Sequence, residues 1–229
     1  MKSSIITKTI LSTSVLALLC AAASAQNLLL VPGFETNFLT SYSNVLNNFT
    51  ANQGLWGVES ATISLATVGV IPLDGTRMLS MTNDGGTTTQ AVQATDVTTS
   101  ASLIDLGGAT VHFSAFFNAA DGLPAPRAAV LLHFYTGAGL SFGAGSISTS
   151  LTTDGDPSTW EQISTSGAIP VGTRWLVSEV LYTDASLITT NAGFVDAASL
   201  TITPEPSSAL LMIGSGAMLL LRRRRAAAL

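Results

Sequence analysis

Between residues 111 and 118 the chain alternates. Val111, Phe113, Ala115 and Phe117 are set against His112, Ser114, Phe116 and Asn118. A period of two is the mark of a strand with one buried face. Residues 174–182 alternate in the same way, with Trp175, Val177, Glu179 and Leu181 against Arg174, Leu176, Ser178, Val180 and Tyr182. Residues 127–135 are more continuously apolar and predict a central strand. Residues 194–202 predict a strand carrying Phe194, Asp196, Ala198, Leu200 and Ile202 on one face. Turn signals punctuate these runs: Asp74-Gly75, Asp84-Gly85-Gly86, Gly107-Gly108, Asp121-Gly122, Asp154-Gly155, and Pro170 with Gly172. No sustained 3.6-residue period crosses residues 26–203. The pattern predicts an all-β antiparallel sandwich, one domain long enough to bury a sizeable core.

The two ends obey a different pattern. Lys2 and Lys8 precede an apolar stretch from Ile10 to Ala23, which closes on Ala23-Ser24-Ala25. This reads as a secretory signal cut by signal peptidase after Ala25, leaving Gln26 first. The apolar stretch is shorter than the ~20 residues that a spanning helix needs. Cys20 is the only cysteine. As a lipid acceptor it would want a small residue before it and has Leu19, so lipidation is the weaker alternative, and residues 26–229 contain no cysteine for a disulfide. At the other end come Pro204-Glu205-Pro206, an apolar run from Ala209 to Leu221, and Arg222, Arg223, Arg224 and Arg225. Prolines flanking a glutamate keep that tripeptide extended and accessible. The apolar run is short for a span, and the arginines favour the cytoplasmic side. The signal peptide sends the N-terminus outward, so both ends agree on N-outside, C-inside.

The tail resembles the PEP-CTERM sorting domain of Gram-negative bacteria that make exopolysaccharide. The resemblance implies an exosortase as processing partner, Pro204, Glu205 and Pro206 as its recognition tripeptide, and Arg222 to Arg225 as the stop signal, with residues 204–229 forming the sorting segment and a short transmembrane helix. It further implies export across the inner membrane, transient anchoring, and release to the outer surface or the medium. The alternative is an ordinary anchor that stays in place. Membrane contact is expected only through this segment.

Charge narrows the partners. Residues 26–203 hold no lysine, three arginines (Arg77, Arg127, Arg174) and thirteen acidic residues, a balance of −10 that the whole-chain value of −5 hides. Such a surface argues against nucleic acid and anionic lipid. It is compatible with neutral polysaccharide and divalent cations.

Four segments resemble galactose-binding-like jelly rolls, the fold of many carbohydrate-binding modules. They are Asn27-Leu28-Leu29-Leu30-Val31-Pro32-Gly33-Phe34-Glu35, the stretch from Pro72 through Asp74-Gly75 to Leu79, the pair formed by Trp160 to Ile163 and Ile169 to Gly172, and Phe194 to Leu200. The closing segment usually carries paired aspartates, and here the second is Ala197. The resemblance implies a structural calcium near the Asp-Gly turn, with Glu35 and Asp196 as carboxylate ligands and Asp74 to Thr76 supplying carbonyls or a further side chain. The opposing reading places Glu35 and Asp196 at a solvated rim.

Sugar recognition on a sandwich uses exposed aromatic rings. Trp56, Trp160, Trp175, Tyr135 and Tyr182 are the candidates. Trp160 opens a strand and Trp175 alternates with Val177 and Leu181, which predicts core positions. Trp56, in Gly54-Leu55-Trp56-Gly57, and Tyr182, at a strand end, remain as glycan contacts. Catalysis has little support: His112 and His133 lie in separate strands, and no nucleophile-elbow, P-loop or metalloprotease motif is present. Asp154 and Asp156 read as a turn. Asn48-Phe49-Thr50 matches a glycosylation sequon seldom read in bacteria. The sequence therefore predicts a non-enzymatic matrix or exopolysaccharide-associated module. A dedicated carbohydrate-binding module and a hydrolase acting on exopolysaccharide stay open as alternatives.

Overall fold

A computed structural model describes residues 25–41, 54–82, 87–120, 126–136, 141–183 and 193–205. Residues 1–24, where the sequence predicts a secretory signal, the Asn48 sequon, Pro206, the apolar run 209–221 and Arg222 to Arg225 lie outside the described residues. Among the described residues no helix is long and apolar enough to cross a membrane.

Eleven described strands follow in order: β1 Leu39–Ser41, β2 Trp56–Val58, β3 Ala61–Ser64, β4 Met78–Met81, β5 Thr88–Asp96, β6 Ala109–Ala119, β7 Arg127–Thr136, β8 Ser141–Thr152, β9 Glu161–Ala168, β10 Trp175–Thr183 and β11 Gly193–Pro204. Among the described residues one short α-helix, α1 (Ala101–Asp105), preceded by a 3-10 turn at Thr98–Ser100, links β5 to β6. The strands form two sheets, ordered β1-β2-β5-β10-β7-β8 and β3-β4-β11-β6-β9. All pairs are antiparallel except β1 with β2. The architecture is a two-sheet β-sandwich.

The alternation in β6 orients as expected: Val111, Phe113, Ala115 and Phe117 are fully buried between the sheets, while His112 is exposed. Strand β7 sends Ala128, Val130, Leu132 and Phe134 into the same core, and β10 sends Leu176, Val180 and Tyr182. The other face of the six-stranded sheet holds a separate small cluster of Val92, Ala94, Tyr135 and Val177, with Trp175 against it. Trp175 is thus half-buried outside the main core, a correction to its predicted place.

Strand β11 departs from simple alternation. Asp196 lies opposite Phe116 and Ser199 opposite Ser114, so β11 carries one extra residue, and Ala197 absorbs it at φ 46°. A bulge of this kind flips everything beyond it. Leu200 and Ile202 face inward opposite Phe113 and Val111, whereas Asp196, opposite Phe116, points to the outer face of the five-stranded sheet. The single face expected for Phe194 through Ile202 is therefore broken at Ala197.

The N-terminal segment covers this irregularity. Asn27 Nδ2 donates to Ala198 O, Leu28 N to Leu200 O and Ala198 N to Pro32 O. Buried Gln93 of β5 ties the same segment to the opposite sheet, donating to Leu30 O and accepting from Leu30 N. At the far end Pro204 pairs with Ala109 and Glu205 N donates to Gly108 O at 2.8 Å, so the first two residues of the Pro-Glu-Pro tripeptide are extended and seated on the domain.

Candidate functional site

Glu35, Asp74 and Asp196, set 161 positions apart in the chain, converge on one loop, residues 71–77. The bulge aims the Asp196 carboxylate into a fully buried position. Oδ2 accepts from Leu73 N at 2.9 Å and Asp74 N at 3.2 Å, and Oδ1 from Ala197 N at 2.7 Å. Burial pushes its carboxyl up to about 6; the amides of Asp74, Ala197 and Leu73 oppose the shift, and the Asp74 charge adds to it. Exposed Glu35 holds the loop's other end. Oε1 accepts from Thr76 N at 2.9 Å and Arg77 N at 3.0 Å, and Oε2 from Thr76 Oγ1 at 3.0 Å. The Arg77 and Thr76 amides hold its carboxyl below the usual value. Gly75 sits between them at φ 67°, where a Cβ would collide with the Glu35 carboxylate.

This arrangement does not fit the calcium suggested by resemblance. Calcium wants six to eight converging oxygens. Here the turn aims amide N–H groups at the carboxylates, and those donors occupy the oxygens and repel a cation. Asp74 contributes its amide to Asp196, which its own negative charge disfavours. Among the described residues no group of three or more His, Cys, Asp or Glu is placed to hold a metal.

The clamped loop forms one wall of a recess of about 300 Å³ lined by Gly69, Ile71, Pro72, Leu73, Pro157, Ser158 and Trp160. Trp160 precedes β9, whose inward residues are Ile163 and Thr165, so its parity turns the ring outward. The indole is half-buried, and Nε1 donates to Ile71 O at 2.9 Å, which fixes the ring plane. The opposite wall is equally fixed. Asp154 accepts from Asp156 N and Thr159 Oγ1, Asp156 accepts from Ser158 N and Oγ, and Asn118 Nδ2 donates to Pro157 O. A two-residue turn at Val68 (φ 44°) and Gly69 (φ 85°) closes the rim, with Thr67 and Val70 exchanging backbone bonds. A left-handed β-branched residue such as Val68 is strained. Ile71 is 70% and Leu73 41% exposed, so the recess is apolar and open, with one hydroxyl at its edge.

The residues expected to contact glycan are elsewhere. Trp56 is fully buried in β2, its ring 5.1 Å from that of Phe34. Tyr182 is also fully buried. Its hydroxyl donates to Asn118 O and Phe194 O, its ring meets Phe117 edge-on, and burial pushes its phenol well up. Neither ring offers a face to a ligand. His133 pairs with Glu179 at 2.8 Å on the outer face of the six-stranded sheet, a pairing hidden from a reading of either strand alone. Trp160, expected in the core, is partly buried and packs against it; the turn from Thr153 to Pro157 just before it is the signal that could have placed it at a loop–strand junction with an edge left open.

No protein-family model and no curated protein matches the chain. Among solved structures, it is similar to a Stig cyclase from Fischerella sp. TAU in complex with an indole compound, at 10% identity over 80% of this chain and 100% of that one, with a TM-score of 0.53. That likeness is one of fold. A family 22 carbohydrate-binding module of Clostridium thermocellum Xyn10B shares 17% identity over 68% of this chain and 91% of the module, with a TM-score of 0.43. A bacteriophage CBA120 tailspike domain shares 13% identity over 75% of this chain at a TM-score of 0.45, and the chain spans 22% of that protein's length.

Proposed function

We propose that this chain is an exported, non-catalytic β-sandwich module that binds extracellular polysaccharide at the Trp160 recess. One observation carries the reading. A half-buried indole with one edge open is locked in plane by its bond to Ile71 O, beside the apolar side chains of Ile71 and Leu73 and the Ser158 hydroxyl. Pyranose rings present a C–H face that suits such a ring, and a pre-fixed aromatic loses little freedom on binding. The walls are held by their own hydrogen bonds, so the recess is formed before a ligand arrives.

The test is affinity electrophoresis of the full chain through gels containing neutral polysaccharides such as xylan. Trp160→Ala should weaken retardation roughly tenfold, the size of a ~1.4 kcal/mol loss, at a temperature where a thermal melt shows the variant still folded, and Trp160→Phe, which keeps a ring, should retain part of the binding. Equal retardation of Trp160→Ala and wild type would overturn the reading.

Delivery belongs to the same proposal. Signal peptidase would cut after Ala25, and an exosortase at Pro204-Glu205-Pro206, releasing the domain from its transient anchor to the outer surface or the medium. Expression with and without an exosortase, followed by mass spectrometry of the mature C-terminus, tests this step. A tail ending at Leu229 in both hosts would overturn it.

A further inference from the structure

A second concavity lies on the opposite side of the sandwich from the free edges of β8 and β9. It is a groove of about 640 Å³ where β1, the connection by which the chain passes from β2 in one sheet to β3 in the other, and the end of the clamped loop meet. Its polar lining includes Asn37, Thr40, Ser41, Glu59, Thr62 and Arg77. We propose that this groove is a distinct ligand site that takes a carboxylate-bearing sugar unit of an acidic glycan, with Arg77 as its anchor.

Arginine accounting is the first argument. Residues 26–203 contain three arginines and no lysine. Arg174 makes a two-pronged pair with Asp105, Nη1 to Oδ1 at 3.0 Å and Nη2 to Oδ2 at 2.7 Å. Arg127 donates from Nε and Nη2 to Ser150 Oγ. Arg77 is exposed, and among the described residues its guanidinium makes no ion pair within 4 Å, its charge reaching the Glu35 carboxylate only as a minor attraction. Glu35 is its neighbour, but those carboxylate oxygens are engaged by the Thr76 and Arg77 amides and the Thr76 hydroxyl. The Arg77 amide bond fixes the residue's backbone at the groove that Arg77 lines, without using its side-chain donors.

Charge is the second argument. In a domain with a balance of −10, an acidic polymer is repelled almost everywhere, so an uncommitted guanidinium in a groove marks the place where one carboxylate is tolerated. Arg binds carboxylate through two parallel N–H···O bonds. Thr40, Ser41 and Thr62 supply hydroxyls of the kind that sugars exchange hydrogen bonds with. Glu59 adds a negative charge to the same groove, which limits it to sparse acidic groups and disfavours densely sulfated or phosphorylated polymers.

The test compares retardation of the full chain by a glucuronoxylan with sparse carboxylate side groups, by the same polymer with those carboxylates methyl-esterified, and by neutral xylan, all with a chelator present. Wild type should be held at least about fivefold more strongly by the acidic polymer than by its ester, as expected for gain of one charge-assisted pair, and rising salt should erase the difference. Arg77→Gln should abolish the preference without lowering Tm, Arg77→Lys should keep part of it, and Thr62→Lys should raise it. Equal binding of the acid and the ester by wild type, or an undiminished preference in Arg77→Gln, overturns the proposal. Binding to xylan that depends on Trp160 is read independently, so either site can fail while the other stands.

Discussion

Glu35 and Asp196 do the same job on the same loop and answer to pH in opposite directions. Each carboxylate accepts three hydrogen bonds, and between them they fix residues 73–77. The difference is water. Glu35 is exposed, so the amides of Arg77 and Thr76 act on it with little opposing cost and its carboxyl is lowered. Asp196 is fully buried, and the cost of removing its charge from water exceeds what its amides return. A carboxylate clamp is thus a stabiliser when ionised at the rim and a charge penalty when ionised in the interior.

The largest expected effect breaks the buried half. Asp196→Ala leaves the amides of Leu73, Asp74 and Ala197 without their acceptor, and a buried unmade hydrogen bond costs ~1–3 kcal/mol. Part of that loss is returned by deleting the buried charge, so we expect a net loss of about 2–3 kcal/mol at neutral pH, read as a lowered urea midpoint. The same variant frees Leu73 and should weaken ligand retention at the Trp160 recess. Asp196→Asn keeps an acceptor oxygen without the charge and should cost less. If Asp196→Ala matched wild type in stability, the loop would be held by packing instead.

The next effect sharpens the contrast through pH. For Asp196 the folded value of about 6 lies above the unfolded 3.8, so protonation favours the fold. Its favourable contribution is complete below 3.8 and is lost as pH rises through about 6. For Glu35 the folded value lies below the ordinary 4.5, so its contribution is present above 4.5 and lost as pH falls through the lowered value. Stability should therefore rise as pH is lowered from 7 towards 5 and fall again in stronger acid. Asp196→Asn should flatten the first limb, and Glu35→Gln should shallow the second. A thermal melt series across this range, with each variant beside wild type, separates the two limbs.

Much of this frame was legible in the sequence because period-two patterning is local. The inward set of β6 and the apolar run of β7 needed only their own residues. The parity of β10 was equally plain and already grouped Tyr182 with Leu176 and Val180, which the structure puts in the core; its position near a strand end was the weaker signal. Trp56 misled for a similar reason, since Gly54 and Gly57 mimic a turn around a residue that opens β2. The bulge at Ala197 was hidden because alanine carries no left-handed preference, and only pairing with β6 forces it there. The convergence of Glu35, the Asp-Gly turn and Asp196 was foreseeable by resemblance. Its chemistry was not, because whether a turn offers N–H or C=O to a carboxylate depends on backbone orientation.

That last distinction sets the smallest expected effect, which is none. If the two carboxylates are held by their amide and hydroxyl donors in place of an ion, millimolar calcium should leave Tm unchanged, and a chelator should leave it unchanged as well. Screening by the added salt would act on the exposed Glu35 half far more than on the buried Asp196 half, so sodium chloride at matched ionic strength is the proper reference. A calcium-specific rise in Tm that vanishes in Asp196→Asn would mean that the loop can turn its carbonyls inward and exchange its amide clamp for an ion. The two carboxylates would then be ligands of one site, and their opposite responses to pH would merge into one, since bound calcium favours the ionised form of both.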